Sequence, residues 1–356
     1  KPDRSFAGEA RLGRLKDMEA MEKAGEGRPA GRRSGLAAFL RVAVSAALVA
    51  WILRKAPVHE VFAAFRSADL RFVLLSVVLS PIGYWASVNR WRLLLRSQGG
   101  DASFGFLLRS FLVGVFFNNL LPGTIGGDAV RAVATSRAGV GRAAAVAIVF
   151  VDRFIGLLAL MLFAVAGVLV SGRLTERVPA LYAWVLAGTV GLGLVACLLF
   201  LPSRAAVLFE RIGRALPARF QSLFAKASTA FLAFQGQGSV LARAFGWSLV
   251  LQIAVVLNGY CLAKALHVAI PLPYFFLIVP LALFAMMVPI SINAIGVREN
   301  VFAFFFAAFG VASVQAVAVA WLDYGLVLVQ ALVGGAVYAW GRRPARDALP
   351  AEEAAR

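Results

Sequence analysis

An all-α polytopic membrane protein is the fold class this sequence predicts, and three features predict it. The chain of 356 residues is 61% hydrophobic and only 15% charged, with a mean hydropathy of +0.81, too apolar for a soluble domain of this length. Nearly uncharged runs of about eighteen residues or more, long enough to cross hydrocarbon as helix, recur along it. They lack the alternation over about ten residues that marks a barrel strand, and hydrocarbon offers backbone amides no outside partner, so the runs are helices. The expected architecture is about six full spans, two broken re-entrant helical hairpins and an inverted-topology repeat.

Residues 1–34 mix charges of both signs with glycine and lack the apolar core of a signal peptide, which predicts a disordered tail. The first spans are 35–53 and 72–89. Residues 104–130 are apolar but interrupted at Pro122, Gly123, Gly126 and Gly127, where half-helices meeting at an irregular turn are expected. Spans follow at 154–172 and 180–201. Residues 203–235 place Leu208, Ile212, Leu216, Phe220, Leu223, Ala227 and Phe231 at helical spacing among basic residues. That pattern reads as a helix lying on the cytoplasmic leaflet, split at Pro217, or as a partner-binding helix. A span at 244–263 precedes a second broken stretch, 273–312, interrupted at Pro289, Asn293 and Gly296. The last span is 324–340, and 341–356 form a cytoplasmic tail.

Orientation follows from Lys and Arg. With both termini cytoplasmic, the tail, Arg90 to Arg109, Arg131 to Arg142, Arg204 to Arg243 and Arg342 to Arg356 share one side, outweighing Arg54, Lys55, Arg66, Arg71, Arg173, Arg177 and Lys264. This requires both broken stretches to enter and leave on the same side. Aligning Ile125-Gly126 with Ile295-Gly296 sets Asp128 against Arg298 and Asp152 within one position of Asp323. The chain therefore divides into repeats at about 72–171 and 241–340, inverted as in many transporters.

A charge within an apolar span costs roughly 2.5–3.5 kcal/mol, so it is kept only when paired or facing water. Here Asp128, Arg131, Asp152, Arg153, Arg298, Glu299 and Asp323 gather at and after the two breaks. Two readings follow: pairs that fix helix packing, or a site for a charged substrate or proton. A half-helix starting at Gly126 or Gly127 would aim free amides at a phosphate, with Arg131 one turn on, and Arg298 offers a planar fork at the second turn. Asn118, Asn119 and Asn293 serve either the ligand or the broken backbone.

Other classes fit less well. The net charge of +18 flanks apolar runs and forms no stripe with aromatics, which argues against nucleic acid. Cys197 and Cys261 fall inside spans and the only histidines are His59 and His267, a poor basis for disulfides or zinc. No HExxH, nucleophile elbow or phosphate loop is present; a membrane transferase using Asp128 or Asp152 as base is the enzymatic alternative.

The stretches NNLLPGTIGGDAVRA, VDRFIGLLAL and PISINAIGVREN resemble the lysylphosphatidylglycerol synthase transmembrane region family, the flippase-like or UPF0104 proteins, over about residues 36–340. The resemblance implies a lipid-flippase-like transporter without cofactor or catalytic residues. It also implies functional roles for Gly126, Gly127, Asp128, Arg131, Asp152, Arg153, Gly296, Arg298 and Glu299. Since the chain ends sixteen residues after the last span, a stand-alone member lacking the soluble aminoacyltransferase domain is expected. The expected cargo is an anionic phospholipid or polyprenyl-phosphate-linked headgroup in a bacterial inner membrane. Homo-oligomers, or a lipid-modifying or glycosyltransferase enzyme that the chain anchors or regulates, are the alternative partners. Ala294 departs from the family's common GIGVRE form at the second turn.

Overall fold

The structure, a computed structural model, describes residues 58–120, 125–170, 179–200, 229–288 and 291–341. The expected span at 35–53, both tails, Pro122, Gly123, Pro289 and residues 203–228 of the basic segment lie outside the described residues. Regular structure among the described residues is entirely helical: α1 Val58–Arg66, α2 Leu70–Ser97, α3 Phe104–Leu120, α4 Ile125–Arg137, α5 Arg142–Val170, α6 Pro179–Phe200, α7 Gly238–Ala265, α8 Leu272–Met287, a 3-10 turn Ile292–Ala294, α9 Val297–Ala307 and α10 Ser313–Gly341. Asp69 caps α2 by accepting from the Arg71 amide at 2.9 Å, and Pro271 precedes α8, where a missing N–H costs nothing.

Element lengths repeat. α2 and α7 have 28 residues each, α5 and α10 have 29 each, α3 and α8 have 17 and 16, and α4 and α9 have 13 and 11. α2 and α7 form the central pair, and their contacts run in opposite numerical order. Ser76 bonds Asn258, a Cβ on Gly83 would meet Leu251, Arg90 bonds Ser248, and Gln237 donates to the Ser97 carbonyl. The two lead helices are therefore antiparallel, so the repeats are inverted, as expected. Twenty-eight residues reach about 42 Å, enough to cross a bilayer.

Each hairpin returns to the end from which it started. The amide of Asp101, before α3, donates to the carbonyl of Ala138, after α4, at 3.1 Å. The Tyr274 ring near the start of α8 meets Phe309, after α9, with centroids 4.7 Å apart. One end of the molecule thus gathers Ser97, Asp101, Ala138 and Gln237, and the other gathers Ser67, Asp69, Ala265 and His267, tied by Asp69 N–H to the Ala265 carbonyl and His267 Nε2 to the Ser67 carbonyl.

Packing is crossed between repeats. α3 of the first repeat lies on α10 of the second, so closely that a Cβ on Gly334 would stand 2.0 Å from the Leu112 carbonyl oxygen. α8 lies on α5, where a Cβ on Gly167 would stand 2.6 Å from the Leu277 amide, and Phe163 stacks on Phe276. Two apolar cores result. One at the Ser97 end centres on Trp91, Leu94, Leu95, Leu107, Ile148 and Phe154; one at the Ser67 end centres on Leu262, Phe275, Leu277, Ile278, Phe306 and Val317.

Two expectations change. Arg90, expected as a cytoplasmic flank, is buried, because its helix face turns toward Asp152 on α5. The described end of the basic segment does not rest on lipid: Phe231 and Phe234 are buried in the first core, and Phe231 packs edge-on against Phe150 and Phe154.

Candidate functional site

The charges singled out in the sequence separate into three groupings. The first is sealed. Asp152, with no exposed surface, accepts from Arg90 Nε on Oδ1 at 2.7 Å and from Arg90 Nη2 on Oδ2 at 3.1 Å, and Arg131 Nη2 lies 2.8 Å from the same Oδ2. Arg90 Nη1 donates to Ser248 at 2.7 Å. The Arg131 guanidinium lies 4.8 Å from the Trp91 ring centre, a cation–π contact that partly replaces lost water. Trp91 Nε1 donates to Thr135, which donates back to the Arg131 carbonyl. The second grouping is half-buried: Arg153 grips Asp128 through Nε at 3.0 Å and Nη2 at 2.6 Å.

The third grouping faces open space. Arg298 Nε lies 3.7 Å from Asp323 and 3.2 Å from the Met286 sulfur, and its guanidinium covers Tyr324 at 4.8 Å. Both charged groups line a cavity of about 510 Å³ between α2, α3, α7, α8, residues 291–294 and α10, within the roughly 300–1,000 Å³ typical of small-molecule sites. Its polar wall includes Ser80, Tyr84, Asn118, Asn119, Asn258, Asn293 and Gln330, with Tyr84 donating to Gln330. Its apolar wall includes Leu79, Leu251, Val255, Leu283, Met286 and Val327. Met287 and Val288 also line it and are about half exposed, so the cavity reaches the perimeter there.

Described residues flanking the breaks are partnered by nearby side chains. The Gly127 amide, expected to face a ligand, donates to Asn118 Oδ1 at 2.7 Å. Asn119 Nδ2 donates to the Val115 carbonyl, and Asn293 Nδ2 reaches across to the Asn119 carbonyl at 2.9 Å, joining the two turns. Gly296 takes a left-handed φ of 84°, and its amide donates to Glu299 at 2.7 Å. Ala294 also sits left-handed, at φ 57°, a conformation in which glycine is relaxed. Gly127 allows a close approach instead: a Cβ there would lie 2.5 Å from the Gly114 carbonyl oxygen. Gly126 is buried beside it at the start of α4.

Of the residues singled out, Asn118, Asn119, Asn293, Arg298 and Asp323 come together at the cavity. Gly126, Gly127, Asp128, Arg131, Asp152, Arg153, Gly296 and Glu299 do not line it. Sequence reasoning missed Arg90, Ser248, Tyr84, Asn258 and Gln330. The spacing between repeats would have flagged some of them, since Asn258 occupies in α7 the position of Arg90 in α2, and Ser248 that of Ser80.

A UPF0104 membrane protein of Pyrococcus horikoshii is 29% identical over 101 residues, 28% of this chain and 30% of that protein. A UPF0104 membrane protein of Methanothermobacter thermautotrophicus is 32% identical over 101 residues, 28% of each chain. The matched segment therefore spans under a third of either relative. The sequence profile of the lysylphosphatidylglycerol synthase TM region matches residues 38–334, and by that match over most of its length the chain belongs to this family of multi-pass membrane proteins.

Proposed function

We propose that the protein moves an amphipathic anionic lipid, a phospholipid or a polyprenyl-phosphate-linked headgroup, between the leaflets of a cytoplasmic membrane. The observation that carries this reading is the cavity at the crossing of α2 and α7. It places one arginine, one aspartate and a set of amides against an apolar wall that reaches the perimeter. Arg298 would hold phosphate oxygens through its planar fork, the amides and Tyr84 would meet glycerol or sugar hydroxyls, and the apolar side would carry the start of an acyl or prenyl chain. The sequence expectation put the phosphate at the broken turns; this reading puts it on the cavity wall instead, since the Gly127 and Gly296 amides already have side-chain partners.

Both termini are proposed to be cytoplasmic. In support, the fold brings Arg96, Arg137, Arg142 and Arg243 to the Ser97 end, while Arg66, Arg71 and Lys264 stand at the other. No catalytic step is assigned. Purified protein in liposomes, assayed for leaflet exchange of fluorescent phosphatidylglycerol, tests the reading. Exchange that depends on Arg298 is expected; exchange no faster than in empty liposomes overturns transport and favours a non-transporting partner of a lipid-modifying enzyme.

A further inference from the structure

The lead helices of the two repeats are equal in length and so are the final ones, so matching them position by position gives each wall of the cavity a counterpart in the first repeat. Tyr84 corresponds to Gln252, Ser80 to Ser248, Asn258 to Arg90, Asp323 to Asp152 and Gln330 to Ala159. Contacts obey the same correspondence. Asp128 pairs with Arg153, and at the equivalent positions Arg298 lies over Tyr324. The second repeat is open at this place. The first is filled, because two arginines close on Asp152 where only Arg298, at 3.7 Å, attends Asp323.

The filled side carries unfinished polar business. Gln252 is 6% exposed, and its Oε1 has no hydrogen-bond partner among the described residues. Its counterpart Tyr84 is satisfied by Gln330, but Ala159 stands where that partner would be. Arg131 Nε is likewise buried without a hydrogen bond. Buried polar atoms are ordinarily paired, so an unpaired one calls for a partner such as an ordered water, an ion or a ligand. Moreover, two guanidinium groups face one carboxylate, leaving the cluster one positive charge in excess.

We infer that the first repeat contains a second, latent headgroup pocket, closed here by the Arg90–Asp152–Arg131 cluster with Ser248, which opens toward the Ser97 end and takes an anionic phosphate group. The cavity runs from the helix midpoints, where Gly83, Tyr84 and Leu251 line it, toward the Ser67 end, where Ser80 and Asn258 line it. Arg90 and Ser248 fall on the opposite half. The two pockets therefore address opposite leaflets, and a headgroup passing from one to the other crosses the bilayer. The ligand assignment rests on the transport reading; the existence of the pocket does not.

Single cysteines at Tyr84 and Gln252, in the full chain with Cys197 and Cys261 replaced by serine, test this with a membrane-impermeant maleimide applied to either face of oriented liposomes. Tyr84→Cys should react from the Ser67 side. Gln252→Cys should react slowly and only from the Ser97 side, and Ser248→Ala, which removes one bond to the latch, should speed it about five-fold. Phosphatidylglycerol liposomes should slow that reaction relative to phosphatidylcholine ones. Reaction of Gln252→Cys from the same side as Tyr84→Cys, or a rate unmoved by Ser248→Ala, overturns the second pocket. Equal rates in the two lipids overturn its anionic ligand. Failure of lipid exchange would remove the transport reading and leave the labelling pattern standing.

Discussion

Asp152 and Asp323 occupy equivalent positions and are held differently, so they should respond differently to substitution. Asp152→Asn leaves two buried guanidinium groups without their carboxylate, and breaking such a set commonly costs about 3–5 kcal/mol. Membrane abundance and thermal stability of that variant should fall together. Arg298→Gln removes a group with a single long ion pair beside a cavity, so abundance should stay near normal while lipid exchange is lost. Measuring both properties on the same preparations separates the roles, and a stable Asp152→Asn protein would contradict the structural role given to the first cluster. Ala294 supplies a prediction of opposite sign. A non-glycine residue at φ 57° is strained by roughly 1–2 kcal/mol, more than the roughly 0.4–1 kcal/mol that glycine adds to the freedom of the unfolded chain, so Ala294→Gly should raise Tm.

At the scale of helices, small residues set how closely the repeats interlock. Gly334→Val should destabilise by about 1–3 kcal/mol, because any Cβ there drives into the Leu112 backbone. Gly325→Ala on the same helix meets nothing within 4 Å and should stabilise by about 0.5–1 kcal/mol, which thermal unfolding of the two variants would check. Much at this scale was legible in the sequence. Apolar length announced the crossings, glycine and proline announced the breaks, and Ile125-Gly126 against Ile295-Gly296 announced the repeat. Arg90 was not legible, since Arg90, Arg92 and Arg96 read alike as a basic flank, and only helix phase and a partner 62 residues away bury the first. The cavity was hidden for a related reason. Asn258 lines it where the first repeat has Arg90, a difference that becomes visible once the repeats are aligned. Asn118, Asn119 and Asn293 bond backbone at the breaks while also facing the cavity, so neither of the sequence readings excluded the other.

For the molecule as a whole, inversion makes sidedness testable without activity. Cysteines placed at Asp101 and Ser67 stand at opposite ends and near the surface; the first should be labelled only from the cytoplasm and the second only from outside. The reverse pattern would invert the orientation while leaving the fold intact. The crossed packing also governs how the protein is made. α3 rests on α10, yet about 200 residues separate Leu120 from Ser313, and synthesis at roughly 5–20 residues per second supplies them over about 10–40 s. Throughout that interval the first hairpin sits in or beside the membrane without the surface that will bury it, its asparagines and broken backbone lacking their final neighbours. Chains halted on the ribosome before residue 313 should therefore show a cysteine at Leu112 open to modification, and completion of α10 should protect it. Insertion of this protein is a matter of waiting, and whatever shelters the early hairpin from lipid and from proteases during the wait decides how much of it survives to function.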